Sequence, residues 1–331
     1  MQVSEGYLPY LGYQTYYRIV GDLGAARAAG VAPLVLVHGG PGSAHDYFEV
    51  LDDLAGPAAA CGIRAAGGVF AGRPGHPETG GSVSVGTDLP GRPLVMYDQL
   101  GCGKSYLEGH PELWHMETWL GEFEALIARL GLTSYHLLGQ SWGGMLAIQY
   151  ACDKKPAGLR SLILSSTLSS SRLWGEEQRR MIKYLSVEDR AAIALADATG
   201  DYGAPACVAA TRRYMQLHAF DVRSGSDAPA CLRRPVRRGT ESYEVAWGPN
   251  EFTPLGTLAG WDYTERLREL TVPALVISGT DDLSTPLVAK TMFDAIPDAR
   301  WELFPDARHM CFVDAHDEYE DLLRAWCAEH D

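Results

Sequence analysis

Ser134-Tyr135-His136-Leu137-Leu138-Gly139-Gln140-Ser141-Trp142-Gly143-Gly144-Met145 is the stretch on which the reading of this chain turns. Its first residues make a short apolar run suited to a buried strand, and it leads into Leu146-Ala147-Ile148-Gln149-Tyr150, which has helical composition. Between the two stands Gly-x-Ser-x-Gly, the pattern of a nucleophile elbow. There the turn from strand to helix is so tight that Gly139 and Gly143 are needed, and it lifts the Ser141 hydroxyl clear of the sheet. A helix beginning at that point aims backbone N–H groups at negative charge beside the serine. The same pattern also occurs as a plain small-residue turn, so its meaning depends on the surrounding chain.

Outward from the elbow, apolar runs alternate with helical patterns. Pro33-Leu34-Val35-Leu36-Val37-His38, Pro93-Leu94-Val95-Met96-Tyr97-Asp98, Ser161-Leu162-Ile163-Leu164, Pro273-Ala274-Leu275-Val276-Ile277-Ser278 and Arg300 to Phe304 read as strands buried on both faces. Helices are expected over Ala44 to Ala55, Glu117 to Leu130, Pro286 to Ala295 and Glu318 to Cys327, and Tyr7 to Val20 reads as an edge hairpin. This cadence predicts a doubly wound, mostly parallel α/β sheet. It breaks between Leu173 and Trp261, where charged helical segments (Glu176 to Leu185, Val187 to Ala198, Ala204 to Leu217) follow one another without a buried strand. The expected organisation is a core over 1–170, a helical cap over 171–260, and the rest of the core over 261–331. The Gly-, Pro- and Ala-rich run Gly56 to Arg92 reads as a long insertion, mobile rather than a lid.

Composition narrows the partners. With 42 acidic against 28 basic residues and a net charge of -14, the surface repels nucleic acid and anionic membranes. No run approaches membrane-spanning length, and Met1 to Gly6 lacks a basic segment followed by an apolar one. Seven scattered cysteines without CxxC pairing suit reduced thiols and give no zinc pattern, so a cytoplasmic location is expected.

A serine hydroxyl is a weak nucleophile at neutral pH and needs a histidine within reach and a carboxylate to orient it. In the chain order Ser, Asp, His, the strand ending at Ser278 is followed by Gly279-Thr280-Asp281-Asp282, and the strand ending at Phe304 by Pro305-Asp306-Ala307-Arg308-His309. His309 is the expected base. Asp282, deeper in its loop, is the expected orienting group, with Asp281 in reserve; both also fit turn-forming roles before a helix. His316 falls where the last helix begins, and His110 and His115 follow no strand. The loop His38-Gly39-Gly40-Pro41-Gly42 lacks the Gly-Lys-Ser/Thr ending of a phosphate cradle. It is read instead as half of an oxyanion hole, with the N–H of Gly40 as one donor, the N–H of Trp142 as the other, and His38 as a buttress.

With these placed, the chain resembles the α/β-hydrolase fold, and within it the proline iminopeptidase family of serine peptidases (prolyl aminopeptidases, tricorn-interacting factor and L-amino acid amidases). The resemblance lies in His38 to Gly42, His45-Asp46-Tyr47, Tyr97 to Ser105, Gly139 to Gly144, and Trp247-Gly248-Pro249-Asn250-Glu251-Phe252, spread over nearly the whole chain. It implies a substrate with a free α-ammonium gripped by carboxylates in or near the cap. Glu251 matches that motif position, and Glu241 in Thr240-Glu241-Ser242-Tyr243 is the weaker correspondence. The family typically lacks the Gly56 to Arg92 insertion, and the cap between Gln216 and Arg238 matches it poorly. The implied activity is cleavage of the amide bond after a free N-terminal residue of a small peptide or aminoacyl amide, with neither metal nor organic cofactor. A carboxylesterase on the same residues, with Glu251 structural, is the alternative, followed by a non-catalytic ligand-binding protein.

Overall fold

The computed structural model describes residues 1–57, 91–220 and 228–331. Within them a single sheet carries strands β1 (Val3–Tyr10), β2 (Tyr13–Val20), β3 (Leu34–Val37), β4 (Leu94–Tyr97), β5 (Tyr135–Gln140), β6 (Leu159–Ser165), β7 (Ala274–Gly279) and β8 (Ala299–Phe304). Their spatial order is β1-β2-β4-β3-β5-β6-β7-β8. The hairpin β1–β2 is antiparallel, as is the β2–β4 pairing, and every later pairing is parallel. β5, which ends at the elbow, therefore lies in the interior of the sheet.

The apolar runs become central strands because both of their faces are covered. In β3, Val35 and Val37 join the core on one side of the sheet while Leu34 and Leu36 join the core on the other, as the two-residue period of a strand requires. All four are fully buried. Truncating one such leucine to alanine typically costs about 2–5 kcal/mol, so the strand that delivers the His38 to Gly42 loop is firmly seated.

The helices are α1 (Leu23–Ala28), α2 (Met116–Arg129), α3 (Trp142–Lys154), α4 (Ser171–Ile182), α5 (Val187–Thr199), α6 (Pro205–His218), α7 (Ala230–Arg233), α8 (Thr240–Ala246), α9 (Pro286–Ala295), α10 (Cys311–Asp314) and α11 (His316–Glu329). Those from α4 to α8 fall between β6 and β7, where the strand cadence breaks. α4 starts earlier than its charge pattern suggested because Ser170 caps it, accepting from the Leu173 N–H at 3.3 Å. α7 and α8 went unforeseen; helices of four and seven residues are too short to show a period. Residues His45–Ala55 wind as a 3₁₀ helix rather than an α-helix. His316 does open the last helix, its ring bonded to the Phe312 carbonyl.

The expected insertion lies, apart from its ends, outside the described residues. Those ends meet: the Arg92 N–H donates to the Leu54 carbonyl at 2.9 Å, and the Arg92 guanidinium pairs with Asp331 at 2.7 Å. No described helix is long and apolar enough to cross a membrane.

Candidate active site

At the end of β5 the chain turns on Ser141, whose φ of 55° and ψ of -127° lie in a region side chains rarely adopt. Such a conformation costs on the order of 1–3 kcal/mol and persists only where neighbours impose it. Here the Ser141 N–H donates to the Ser165 carbonyl at 3.1 Å, and the Thr167 hydroxyl donates to the Ser141 carbonyl at 2.6 Å. The turn also needs its glycines, since a Cβ on Gly143 would stand 2.1 Å from the Val37 carbonyl oxygen. The side chain left standing above the sheet is the hydroxyl of Ser141.

The loops leaving β7 and β8 bring the expected acid and base together. His309 Nδ1 lies 2.7 Å from Asp282 Oδ1. That carboxylate is only 1% exposed and also accepts from the Ser284 N–H at 2.8 Å and the Gly279 N–H at 3.3 Å. Three contacts around one buried carboxylate fix its direction. Asp281, the reserve, is exposed, and it is its backbone carbonyl that meets the His218 ring at 2.9 Å. Trp174 of α4 packs edge-on to the His309 ring at 5.9 Å between centroids. Ser141 and His309 line one cavity of about 800 Å³, within the range of small-ligand sites.

The loop after β3 reaches the same cavity. Gly40 has a φ of 119°, and a Cβ there would fall 2.5 Å from the Gly42 nitrogen, so only glycine fits. Trp142 heads α3, where the first backbone N–H groups have no intrahelical acceptor. Its indole donates to Gln99 Oε1 at 2.7 Å, and Gln99 in turn donates to the His38 carbonyl at 3.0 Å. His38 is fully buried; burial pushes it down to about 4, leaving a neutral ring between Gly39 and Gln99. His45 takes the opposite course. Burial alone would push it down, but Asp98 at 2.6 Å, with Glu49 beside it, raises it to about 9. Asp98 also accepts from the Lys104 N–H, closing the turn after β4.

A link that sequence reasoning missed runs across these loops. The Gly39 N–H donates to the Tyr47 hydroxyl at 2.6 Å, and that hydroxyl donates to Gln140 Oε1 at 2.8 Å. The Gln140 amide donates to the His309 carbonyl at 3.3 Å. Tyr47 and Gln140, the residue before Ser141, thereby join the loop after β3 to His309. Burial pushes the Tyr47 phenol up, so it stays a neutral donor. Both residues lie in motifs picked out in the sequence, but nothing local marks the partnership.

The two carboxylates expected to meet an ammonium separate. Glu251 lines the cavity, its Oε1 accepting from the Tyr243 hydroxyl at 2.8 Å while its own carbonyl accepts from the Trp174 indole at 2.9 Å. Burial pushes its carboxyl up, partly offset by the Tyr243 bond. Glu241 is absent from the cavity wall. Its oxygens take the N–H groups of Gly109 at 2.8 Å and His110 at 3.1 Å and the Trp114 indole at 2.6 Å. Glu241 thus ties α8 to the loop before α2, away from the cavity that Glu251 lines. Glu244, one turn further along α8, borders the cavity instead.

The arrangement can do acyl-transfer chemistry: a raised serine and an oriented imidazole share one cavity with the Gly40 loop and the Glu251 carboxylate. Among the described residues no group of three or more His, Cys, Asp or Glu side chains could hold a metal ion.

Comparison with known proteins bears on the family and the fold. A family profile described as "alpha/beta hydrolase fold" matches residues 32–190. The proline iminopeptidase of Lactiplantibacillus plantarum is 50% identical over 324 residues, covering 98% of this chain and all of that one. That of Lactobacillus helveticus is 48% identical over 332 residues, covering both chains fully. Among solved structures, VinJ superposes with a TM-score of 0.79 at 28% identity over 99% of each chain. The proline iminopeptidase of Mycobacterium smegmatis superposes with a TM-score of 0.75 at 28% identity, over 99% of this chain and 98% of its own.

Proposed function

The chain belongs to the proline iminopeptidase family of α/β hydrolases, as a serine-type aminopeptidase, and from that premise we propose how its residues divide the work. Ser141 attacks the carbonyl carbon of the amide bond that follows a free N-terminal residue. His309, held through Nδ1 by Asp282, takes the serine proton on Nε2 and returns it to the departing amine. The N–H groups of Gly40 and Trp142 receive the oxyanion, each worth about 100- to 1,000-fold in rate. Water then repeats the sequence on the acyl-enzyme and frees the amino acid. Glu251, its direction set by Tyr243, receives the substrate's α-ammonium, and the helices between β6 and β7 serve as the cap that carries it.

The observation that supports this reading most is the 2.7 Å contact of His309 Nδ1 with Asp282, at the rim of a cavity shared by Ser141 and Glu251. Two acids divide the tasks of catalysis and recognition: Asp282, in contact with the base, and Glu251, holding one hydrogen bond from Tyr243. The relatives' names point to proline as the first residue of the substrate, and a small peptide or aminoacyl amide fits the cavity's volume. All six cysteines within the described residues are free thiols, which supports a cytoplasmic setting. The test is labelling with a fluorophosphonate, followed by peptide mapping and amide hydrolysis by Ser141→Ala. A single adduct on Ser141 and loss of at least about 1,000-fold in kcat for the variant are expected; an adduct elsewhere, or an active variant, overturns the assignment.

A further inference from the structure

Beyond the ammonium site, the cavity has a cationic border of its own. Between α7 and α8 the chain runs without helix or strand, and Arg234, Val236 and Arg238 line the cavity while Pro235 and Arg237 do not. That is the two-residue alternation of an extended segment. Arg237, on the other side, lies over the Tyr106 ring at 3.3 Å. Arg234 is taken by Glu49 at 2.6 Å. Arg238 has no ion pair or hydrogen bond among the described residues, and neither has Arg212 of α6, which borders the same cavity.

Both side chains are exposed, and other exposed arginines among the described residues (Arg129, Arg190, Arg233) also lack an ion pair; what sets Arg212 and Arg238 apart is that they line the cavity. Nearby arginines find partners readily: Arg179 with Asp197, Arg180 with Glu177, Arg213 with Asp189. Three acids line the cavity, namely Asp46, Glu244 and Glu251. Among the described residues none of them pairs with Arg212 or Arg238. Burial discourages the charge on Asp46, and Glu251 is engaged in holding the ammonium under the function proposed above.

We propose that Arg212 and Arg238 form a subsite for a carboxylate on the leaving side of the scissile bond, so that the enzyme favours short peptides ending in a free C-terminus. The proposal rests on the aminopeptidase reading: with the ammonium at Glu251, the substrate is a zwitterion whose ends meet opposite charges lining one cavity. Guanidinium groups suit this task because their planar N–H fork matches a carboxylate. The same chemistry could serve an acidic side chain in the leaving segment, and the substrate set separates the two.

The experiment compares kcat/KM for three peptides: Pro-Gly-Gly as free acid, Pro-Gly-Gly amide, and Pro-Glu-Gly amide. Wild type should cleave the free acid about five- to tenfold better than its amide, with the advantage shrinking as salt rises. In R212Q/R238Q the ratio should fall to about one, whereas R237Q, on the outward side of the segment, should keep the wild-type ratio. Preference for Pro-Glu-Gly amide over the free acid would move the subsite to a side-chain carboxylate and overturn the C-terminal assignment. Equal rates for acid and amide in wild type, or an unchanged ratio in the double variant, overturn the subsite while leaving the aminopeptidase standing. Failure to cleave any of the three overturns both.

Discussion

Asp282 and Glu302 are buried carboxylates from neighbouring parts of the sheet, at most 1% exposed, and they live in opposite surroundings. Asp282 stands beyond the end of β7 among three donors. Glu302 sits within β8, level with Ile277 of β7, and neither of its carboxylate oxygens has a hydrogen-bond partner among the described residues. Burial pushes its carboxyl up to about 7. Glu251 lies between these extremes, with one donor from Tyr243 and a raised carboxyl. The difference teaches that burial alone does not make an acid functional. A saturated carboxylate orients a neighbour, an orphaned one tends to hold its proton, and a half-satisfied one facing a cavity has room for a cation from the substrate.

The contrast breaks most visibly at Asp282. Asp282→Asn keeps the shape but loses the charge that fixes the histidine tautomer, and should lower kcat by about 1,000- to 10,000-fold in a steady-state assay with a prolyl anilide. A loss below tenfold would mean that Asp282 is as idle as Glu302. Glu251→Gln should come next. It should reduce kcat/KM for free-amine substrates by about 100-fold, since a buried ammonium left without its partner costs a few kcal/mol, and it should narrow the gap to N-acetylated ones.

Glu302→Gln tests the other pole, through stability rather than rate. The folded-state pKa of Glu302 is raised above the ordinary 4.5, so the native state binds more protons than the unfolded chain between those values. Its contribution to stability is therefore present below pH 4.5 and is lost as the pH climbs through about 7. The loss is roughly 2–3 kcal/mol once the carboxylate is fully ionised. Urea denaturation at pH 8 should find the variant more stable than wild type by that order, with the two converging near pH 4. No difference at pH 8 would show that Glu302 has found a partner in solution. The smallest effect is expected at Tyr47→Phe, which removes the hydroxyl between the Gly39 N–H and Gln140. One lost bridge, about 1 kcal/mol, should lower kcat some five- to tenfold with little change in KM.

What could be read in the sequence follows from how local each signal is. β3, β4, β5 and β7 announce themselves as apolar runs, and the elbow at Ser141 as a pattern of small residues around a serine. Asp282 and His309 stand out as candidates because each follows such a run in the expected chain order. Choosing Asp282 over Asp281 needed only depth within the loop, and the contact with His309 agrees with it. The placement of Glu241 off the cavity was not legible for a geometric reason: α8 has barely two turns, and sequence does not say which side of so short a helix meets the cavity. Tyr47, Gln140 and His309 come together from 93 and 169 residues apart, a pairing that no window of sequence contains. Glu302 was equally hidden, because a lone acid in an edge strand reads as solvent-facing until the packing above it is known.

The most direct single measurement is kcat/KM for prolyl anilide against N-acetylprolyl anilide, with Ser141→Ala as control. Cleavage of the free amine at least about 100-fold faster than the acetylated substrate, abolished by the serine variant, is what Glu251 and Ser141 in one cavity require. Equal cleavage of the two would contradict it, leaving a serine hydrolase in which Glu251 serves only to hold its own loop.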